Sequence, residues 1–115
     1  LLQSVLDALT SNIAVLDDDG VIQFVNAAWD EFAHVNGGAR VGIGAPYLDA
    51  CREVPEIRTA IEGVLAGNRK FFECEYPCHS PTEERWFVMH VHRTQDGRRT
   101  VVSHTNVTGT RGRGR

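Results

Sequence analysis

FECEYPCHSPTEERWFVMHV, residues Phe72 to Val91, reads as two arms around a knot. Phe72, Cys74 and Tyr76 alternate with Glu73 and Glu75. On the far side Phe87, Met89 and Val91 alternate with Val88, His90 and His92. Side chains that change face at every residue define a β-strand, so both arms are strands. Pro77 and Pro81 bracket Cys78, His79 and Ser80, which suits a strand end and a turn. Folding the arms about Ser80 to Glu84 sets Tyr76 beside Phe87, Cys74 beside Met89 and Phe72 beside Val91. These six then share one apolar face. Glu73, Glu75, Trp86, Val88, His90 and His92 take the other. Cys78 and His79, being neighbours on a strand, point to opposite faces and do not form a nucleophile–base pair.

The rest of the chain fits around this hairpin. Leu1, Leu2, Val5, Leu6 and Leu9 recur at helical spacing. Ile13–Leu16 and Val21–Val25 are apolar runs joined through Asp17-Asp-Asp-Gly20, a hairpin signal. Asn26 is placed to cap a short helix from Ala27 to Phe32, which Gly37-Gly38 stops. After an irregular stretch with Gly42, Gly44 and Pro46, Tyr47–Cys51 makes about one turn. Pro55 suits the first turn of a helix whose stripe is Ile57, Ile61, Val64 and Leu65 and whose end is Gly67-Asn68. Gln95-Asp-Gly97 turns β-structure into a last strand, Thr100–Val107. Two strands, a helical insert and three more strands predict an α+β fold: one antiparallel sheet with helices on one face.

The 115 residues suffice for one domain with a single core. A hydrophobic share of 42% and a charged share of 23% are those of a globular protein. A net charge of −3 gives no electrostatic case for nucleic acid or an anionic membrane as partner. The tail Arg111–Arg115 is read as linker, and no apolar run reaches the ~18 residues of a membrane span. The chain begins at Leu1 without Met and reads as a piece of a longer protein. Three cysteines with no CxxC spacing predict a reduced, cytoplasmic setting.

Order and residues together resemble a PAS domain over about residues 3–108. The matching pieces are Leu16–Gly20, Phe24-Val-Asn26-Ala-Ala-Trp29, the Gly44/Tyr47-Leu-Asp49 turn, Leu65-Ala-Gly67, and Tyr76–Pro81 with Arg85-Trp-Phe87. The last pair resembles a subfamily common in bacterial multidomain signalling proteins. The resemblance implies a five-stranded antiparallel sheet in the order 2-1-5-4-3, helices on one face, the N-terminal helix outside, and a pocket between helices and sheet. It divides the chain into a dimerisation helix at 1–10, a PAS core at 11–108 and a linker at 109–115. It also implies a sensory or dimerisation module attached to a kinase, cyclase, phosphatase or DNA-binding module. Two positions depart from the usual pattern. Asn106-Val-Thr108 stands where Asp-Ile-Thr is common, which puts an ion pair at the exit in doubt, and Pro46 stands where Asn often precedes the Tyr-Leu turn.

No cofactor is expected. Heme-binding relatives commonly ligate iron from the long helix, and here Pro55–Ala66 contains no His, Cys or Met. Light-sensing flavin relatives carry an Asn-Cys-Arg-Phe-Leu-Gln stretch, of which Cys51-Arg52 is only an echo. The expected chamber is lined by Phe24, Phe32, Leu48, Cys51, Ile57, Ile61, Leu65, Phe72, Cys74, Tyr76, Phe87, Met89, Val91 and Ser103. It suits an apolar or aromatic molecule rather than a di-acid, which would need a buried Arg or Lys. A packed, ligand-free scaffold core is the competing reading.

Trp86, Val88 and His90 on the outer face, with Leu2, Val5, Leu6 and Leu9 of the first helix, predict a homodimer. If the last hairpin places His104 near His90, which faces Glu73, the three form a weak candidate metal site. Cys78 is a candidate redox sensor without a resolving thiol. The inner face holds no paired Asp, Glu or His, so catalysis is not expected.

Overall fold

The computed structural model describes residues 2–35, 42–51, 54–77 and 82–109. The Gly37-Gly38 stop, the Cys78-His79 knot and the arginine tail lie outside them. The elements run α1 (Leu2–Asp7), β1 (Asn12–Leu16), β2 (Ile22–Val25), α2 (Ala27–Val35), a 3₁₀ turn (Tyr47–Cys51), α3 (Pro55–Leu65), β3 (Phe71–Pro77), β4 (Trp86–Arg93) and β5 (Thr100–Asn106).

Alternation builds the sheet as the sequence predicts. Along β4 every second residue is buried, and along β3 every second residue is half-buried. The two strands pair antiparallel with Phe72 opposite Val91, Cys74 opposite Met89 and Tyr76 opposite Phe87. The full order is β2-β1-β5-β4-β3. Asp17 closes the β1–β2 turn: its carboxylate accepts the Asp19 and Val21 N–H groups at 2.9 and 3.0 Å, and Gly20 takes φ +81°. A side chain there would be strained.

The β4–β5 pairing corrects one expectation. Thr94 N–H bonds to the Arg99 carbonyl across the turn, and Met89 comes opposite His104 while His90 comes opposite Ser103. The expected His90–His104 neighbourhood is one residue out of step. In a sheet a one-residue slip exchanges the faces of a whole strand. His104 therefore belongs to the inner face and Ser103 to the outer one.

The core sits between this inner face and the helices. Ala14, Leu16, Val25, Met89, Val91 and Val102 meet Trp29 of α2, Tyr47 and Cys51 of the 3₁₀ turn, and Ile61 and Val64 of α3. Each fully buried aliphatic side chain stabilises the fold by about 1.5–3 kcal/mol. Asn26, fully buried, ties the layers together. Its Oδ1 accepts the N–H groups of Trp29 (3.0 Å) and Ile13 (2.9 Å), and its Nδ2 donates to the Ser11 carbonyl at 2.8 Å. The predicted helix cap is thus also the clamp on β1. At the other end of the sheet the Arg93 guanidinium donates to the Leu65 carbonyl (2.7 Å), Asp18 (3.0 Å) and the Gly97 carbonyl.

α1 is fastened by polar bonds at the β2–α2 junction. Gln3 donates to the Val25 carbonyl at 3.0 Å, and the Asp7 carboxylate accepts the Ala27 N–H at 2.7 Å, beside the positive end of α2. Its apolar residue Val5, and Leu9 just beyond it, stay 52% and 46% exposed.

Candidate functional site

Tyr47 reaches the inner face because its segment is laced to β2. Ile22 N–H bonds to Ala45 O at 2.9 Å, Gly44 N–H to Ile22 O at 2.8 Å and Tyr47 N–H to Gly20 O at 2.9 Å, with Gly44 at φ +91°. Tyr47 is then nearly enclosed above β5 and faces His104. The two nitrogens of that imidazole are both engaged: Nε2 with the Tyr47 hydroxyl at 2.9 Å and Nδ1 with the Tyr76 hydroxyl at 2.5 Å. The Trp29 ring packs 5.6 Å from the imidazole, and Tyr76 stands edge-on to it at 5.7 Å.

A cleft of about 370 Å³ opens beside this trio. Its walls are Tyr47, Ala50, Cys51, Val54, Ile57, Tyr76, Pro77, Met89 and His104, contributed by the 3₁₀ turn, the start of α3 and the last three strands. Burial lowers His104 to about 4, so the ring is neutral at physiological pH. Burial likewise raises Tyr47, reinforced by the neighbouring Cys51 and Tyr76. Cys51 is raised chiefly by burial, against which its hydrogen bond with Tyr47 acts, and Cys74 is raised by burial. Both are free thiols, and at neutral pH they stay protonated and weakly nucleophilic. The arrangement can hold a small apolar molecule against a short row of neutral hydrogen-bonding groups.

Of the expected lining, the structure brings Cys51, Ile57, Tyr76 and Met89 to the cleft. Ile61 and Val91 are sealed in the core, with Phe72 and Cys74 packed against it. Leu48 and Leu65 close the far end around Gly20. Phe32 packs against Phe87, ring centres 5.5 Å apart, and Phe87 stacks on Tyr76 at 5.9 Å. Two residues are corrected. Phe24 pairs with Val15 on the outer side and is 40% exposed, and Ser103 lies opposite His90 on that same side. Sequence reasoning missed Tyr47 and His104 as lining. The signal for His104 was present: counting outward from Asp96-Gly97 as the two turn residues pairs it with Met89, an inner residue. Tyr47 carried no such signal, because its position depends on the bonds to Gly20 and β2.

The outer face carries Glu73, His90, His92, Trp86 and Val88. The His90 and His92 rings lie 4.9 Å apart and Phe71 meets His90 edge-on at 5.9 Å. With His104 on the opposite face, the Glu73–His90–His104 metal site does not form. Among the described residues no cluster of three or more His, Cys, Asp or Glu is placed to hold a metal ion. At the exit, the Asn106 side-chain oxygen accepts the Thr108 N–H (2.9 Å) and hydroxyl (2.7 Å), and the Thr108 hydroxyl accepts the Trp86 N–H at 3.0 Å. Asn106 thus makes a latch without a carboxylate.

The family model for the PAS fold matches residues 6–112. The chain belongs to the PAS family, whose domains are generally sensory rather than catalytic. An uncharacterized 104.1 kDa protein of Rhodobacter capsulatus, encoded in the hypE 3′ region, is 44% identical over 123 aligned positions. The match covers 94% of this chain and 13% of that protein, so the chain spans a small part of its relative. Among solved structures, the photoactive yellow protein domain of the sensor histidine kinase Ppr from Rhodospirillum centenum superposes with a TM-score of 0.67 at 14% identity. That match covers 91% of this chain and 99% of that one. The PAS domain of the Cronobacter turicensis quorum-sensing receptor RpfR, solved in complex with C12:0, gives 0.61 at 20% identity, covering 87% and 96%. At these identities the likeness is one of fold.

Proposed function

We propose that this domain is a non-catalytic sensory module of a larger bacterial signalling protein, and that it binds a small apolar or aromatic molecule in the cleft between helices and sheet. The observation that carries the reading is the cleft of about 370 Å³, apolar except for Tyr47, Tyr76, His104 and the Cys51 thiol. A few polar groups on apolar walls are the usual composition of a ligand site. That the fold accommodates ligands is supported by the Cronobacter turicensis domain with its C12:0. No helix among the described residues is long and apolar enough to cross a membrane, and a cytoplasmic location is part of the proposal. So is a covalently attached kinase, cyclase, phosphatase or DNA-binding module. Native mass spectrometry tests the reading: the protein should carry a co-purified small molecule or take one up from a panel of apolar and aromatic compounds. A strictly unliganded mass and an unchanged melting temperature across the panel leave only a ligand-free scaffold.

The second part of the proposal is a homodimer through α1 and the outer sheet face. The exposed Val5, Leu9, Phe24 and Phe71, with half-buried Trp86 and Val88, support it. Light scattering at tens of micromolar should give twice the chain mass. Trp86→Ala should weaken the dimer about thirtyfold, roughly 2 kcal/mol for a central aromatic anchor. A monomeric mass for the native protein rejects this interface.

A further inference from the structure

The ligand class is narrowed by the protons of the Tyr47–His104–Tyr76 trio. The residues around the cleft are Tyr47, Ala50, Cys51, Val54, Ile57, Tyr76, Pro77, Met89 and His104, and none bears a permanent charge. The groups facing His104 are Tyr47 from the 3₁₀ turn, Tyr76 from β3, Trp29 from α2, and its strand neighbours Asn12 and Met89, while the Cys51 and Cys74 thiols act on Tyr47. Arg58 of α3 acts on Cys51 only from a distance, and its side chain is 44% exposed beside Glu62. Among the described residues lining the cleft, an ion entering alone would lose its hydration with no counter-charge to meet it.

A neutral imidazole has one N–H and one lone pair. Of its two bonds to tyrosine, one therefore uses the ring proton and the other a phenol proton. The trio carries three protons and its two internal bonds consume two, whichever tautomer is present. One further proton changes this balance. Imidazolium donates to both tyrosine oxygens, and both hydroxyl protons are released from the histidine: that of Tyr76 to serve a ligand, that of Tyr47 to be shared between a ligand and its hydrogen bond with Cys51. Two O–H donors then flank a buried cation, a setting that complements a carboxylate with its two oxygens.

We propose that the cleft selects weak organic acids with an apolar tail, and that each acid enters with one proton, which passes to His104. The proposal rests on the ligand-binding reading above and deepens it. In the step, the carboxyl O–H bond breaks and its electron pair stays on the carboxylate. The proton goes to the oxygen of the tyrosine that donates to the ring, and that tyrosine's own proton moves to the imidazole nitrogen that held the lone pair, so its O–H is broken and re-formed. The carboxylate beside the ring and the O–H donors on that carboxylate favour the ionised pair over a ring lowered to about 4 when empty. The bound pair is neutral overall, so the apolar walls meet no net charge. Because the empty ring is neutral at physiological pH, the proton arrives only with the ligand.

The experiment uses octanoic acid, octanol and octylamine as probes, with titration calorimetry near neutral pH in two buffers of different ionisation enthalpy. Octanoate should bind with uptake of about one proton per site, and its affinity should fall about tenfold per pH unit above neutrality. Octylamine should bind at least about tenfold more weakly than octanoate. The carboxyl carbon of labelled octanoate should give the shift of a carboxylate in the native protein. In His104→Gln, which cannot take the proton, it should give that of a carboxylic acid. Should that variant fail to fold, Tyr76→Phe serves: it removes one donor and should weaken octanoate about tenfold while leaving octanol within about twofold. Octanoate bound without proton uptake, or octylamine bound equally well, overturns the proposal. Octanol binding with octanoate excluded overturns it too, yet leaves the sensory reading standing. If none of the three binds and the purified protein has a bare mass, both fall together.

Discussion

His104 on β5 and His92 on β4 lie in one sheet, both lowered in pKa by burial, and they are treated in opposite ways by its two faces. Inside, both nitrogens of His104 have tyrosine partners. Outside, His92 packs against His90, whose like charge lowers it further after burial, and its Nδ1 is buried without a hydrogen-bond partner among the described residues. An orphaned buried polar atom costs about 1–3 kcal/mol unless something satisfies it. The Tyr47–His104–Tyr76 group pairs its ring nitrogens within one chain, although Thr100 Oγ1, buried on the same inner face, has no hydrogen-bond partner among the described residues. The outer face fits the proposal that a second chain covers it.

The comparison depends on the β4–β5 register, and adjacent residues of β5 test it with the largest effect. Val102 is fully buried opposite Val91, whereas Ser103 lies opposite His90 on the outer side. Val102→Asp should abolish folding, or cost more than about 4 kcal/mol, because the carboxylate has no partner there. Ser103→Asp should move stability by no more than about 0.5 kcal/mol. Urea denaturation of both variants decides the matter. Similar losses at the two positions would mean that the faces are not distinguished as described.

The legibility of these features followed how local their causes are. The β3–β4 register was readable because alternation on two neighbouring arms leaves one apolar face, and pairing Tyr76 with Phe87 is the way to share it. Asn26 as a cap was readable from its place before Ala27, but not its hold on Ile13 and Ser11, which needs the tertiary fold. For β5 the alternation is ambiguous: Val101 and Val102 are both apolar, so hydrophobicity does not say which face Thr100–Asn106 turns inward. Only turn geometry decides, and there a miscount by one residue exchanged His104 and Ser103. Tyr47 depends on a segment with no period at all, placed by backbone bonds to Gly20 and Ile22. The pocket's polar end was therefore the part hidden from sequence, although its apolar wall was not.

Acid should separate the two histidines next. The unfolded chain protonates His104 as pH drops through about 6.5, whereas the folded chain resists until about 4. Folded stability is thus fully present above about pH 6.5 and declines as pH falls toward 4, by about 3 kcal/mol in all. His92 works in the same direction. His104→Gln should flatten most of this slope in chemical denaturation followed between pH 7 and pH 4, and His92→Gln only a small part of it. If the outer variant flattened the slope more, the inner site would not be the strongly desolvated one.

The smallest effect is expected where the inner face meets the exit. Asn106 lies two positions beyond His104 on the same strand and face, opposite Phe87, and holds Thr108, whose hydroxyl accepts the Trp86 N–H. Movement of β5 on ligand binding would reach this latch directly, since a strand is stiff over two residues while the outer neighbour Thr105 bonds instead to Ser11 at 2.8 Å. Thr108→Val keeps the side-chain shape and removes both hydroxyl bonds, so it should cost about 1 kcal/mol and speed amide exchange at Trp86 by several-fold. Asn106→Asp keeps the acceptor and should leave stability within about 0.5 kcal/mol. Faster exchange at Trp86 in Thr108→Val, with no change at Val88, would locate the latch at the strand end. Equal changes at both would mean that the whole of β4 loosens and that the exit has no separate hold.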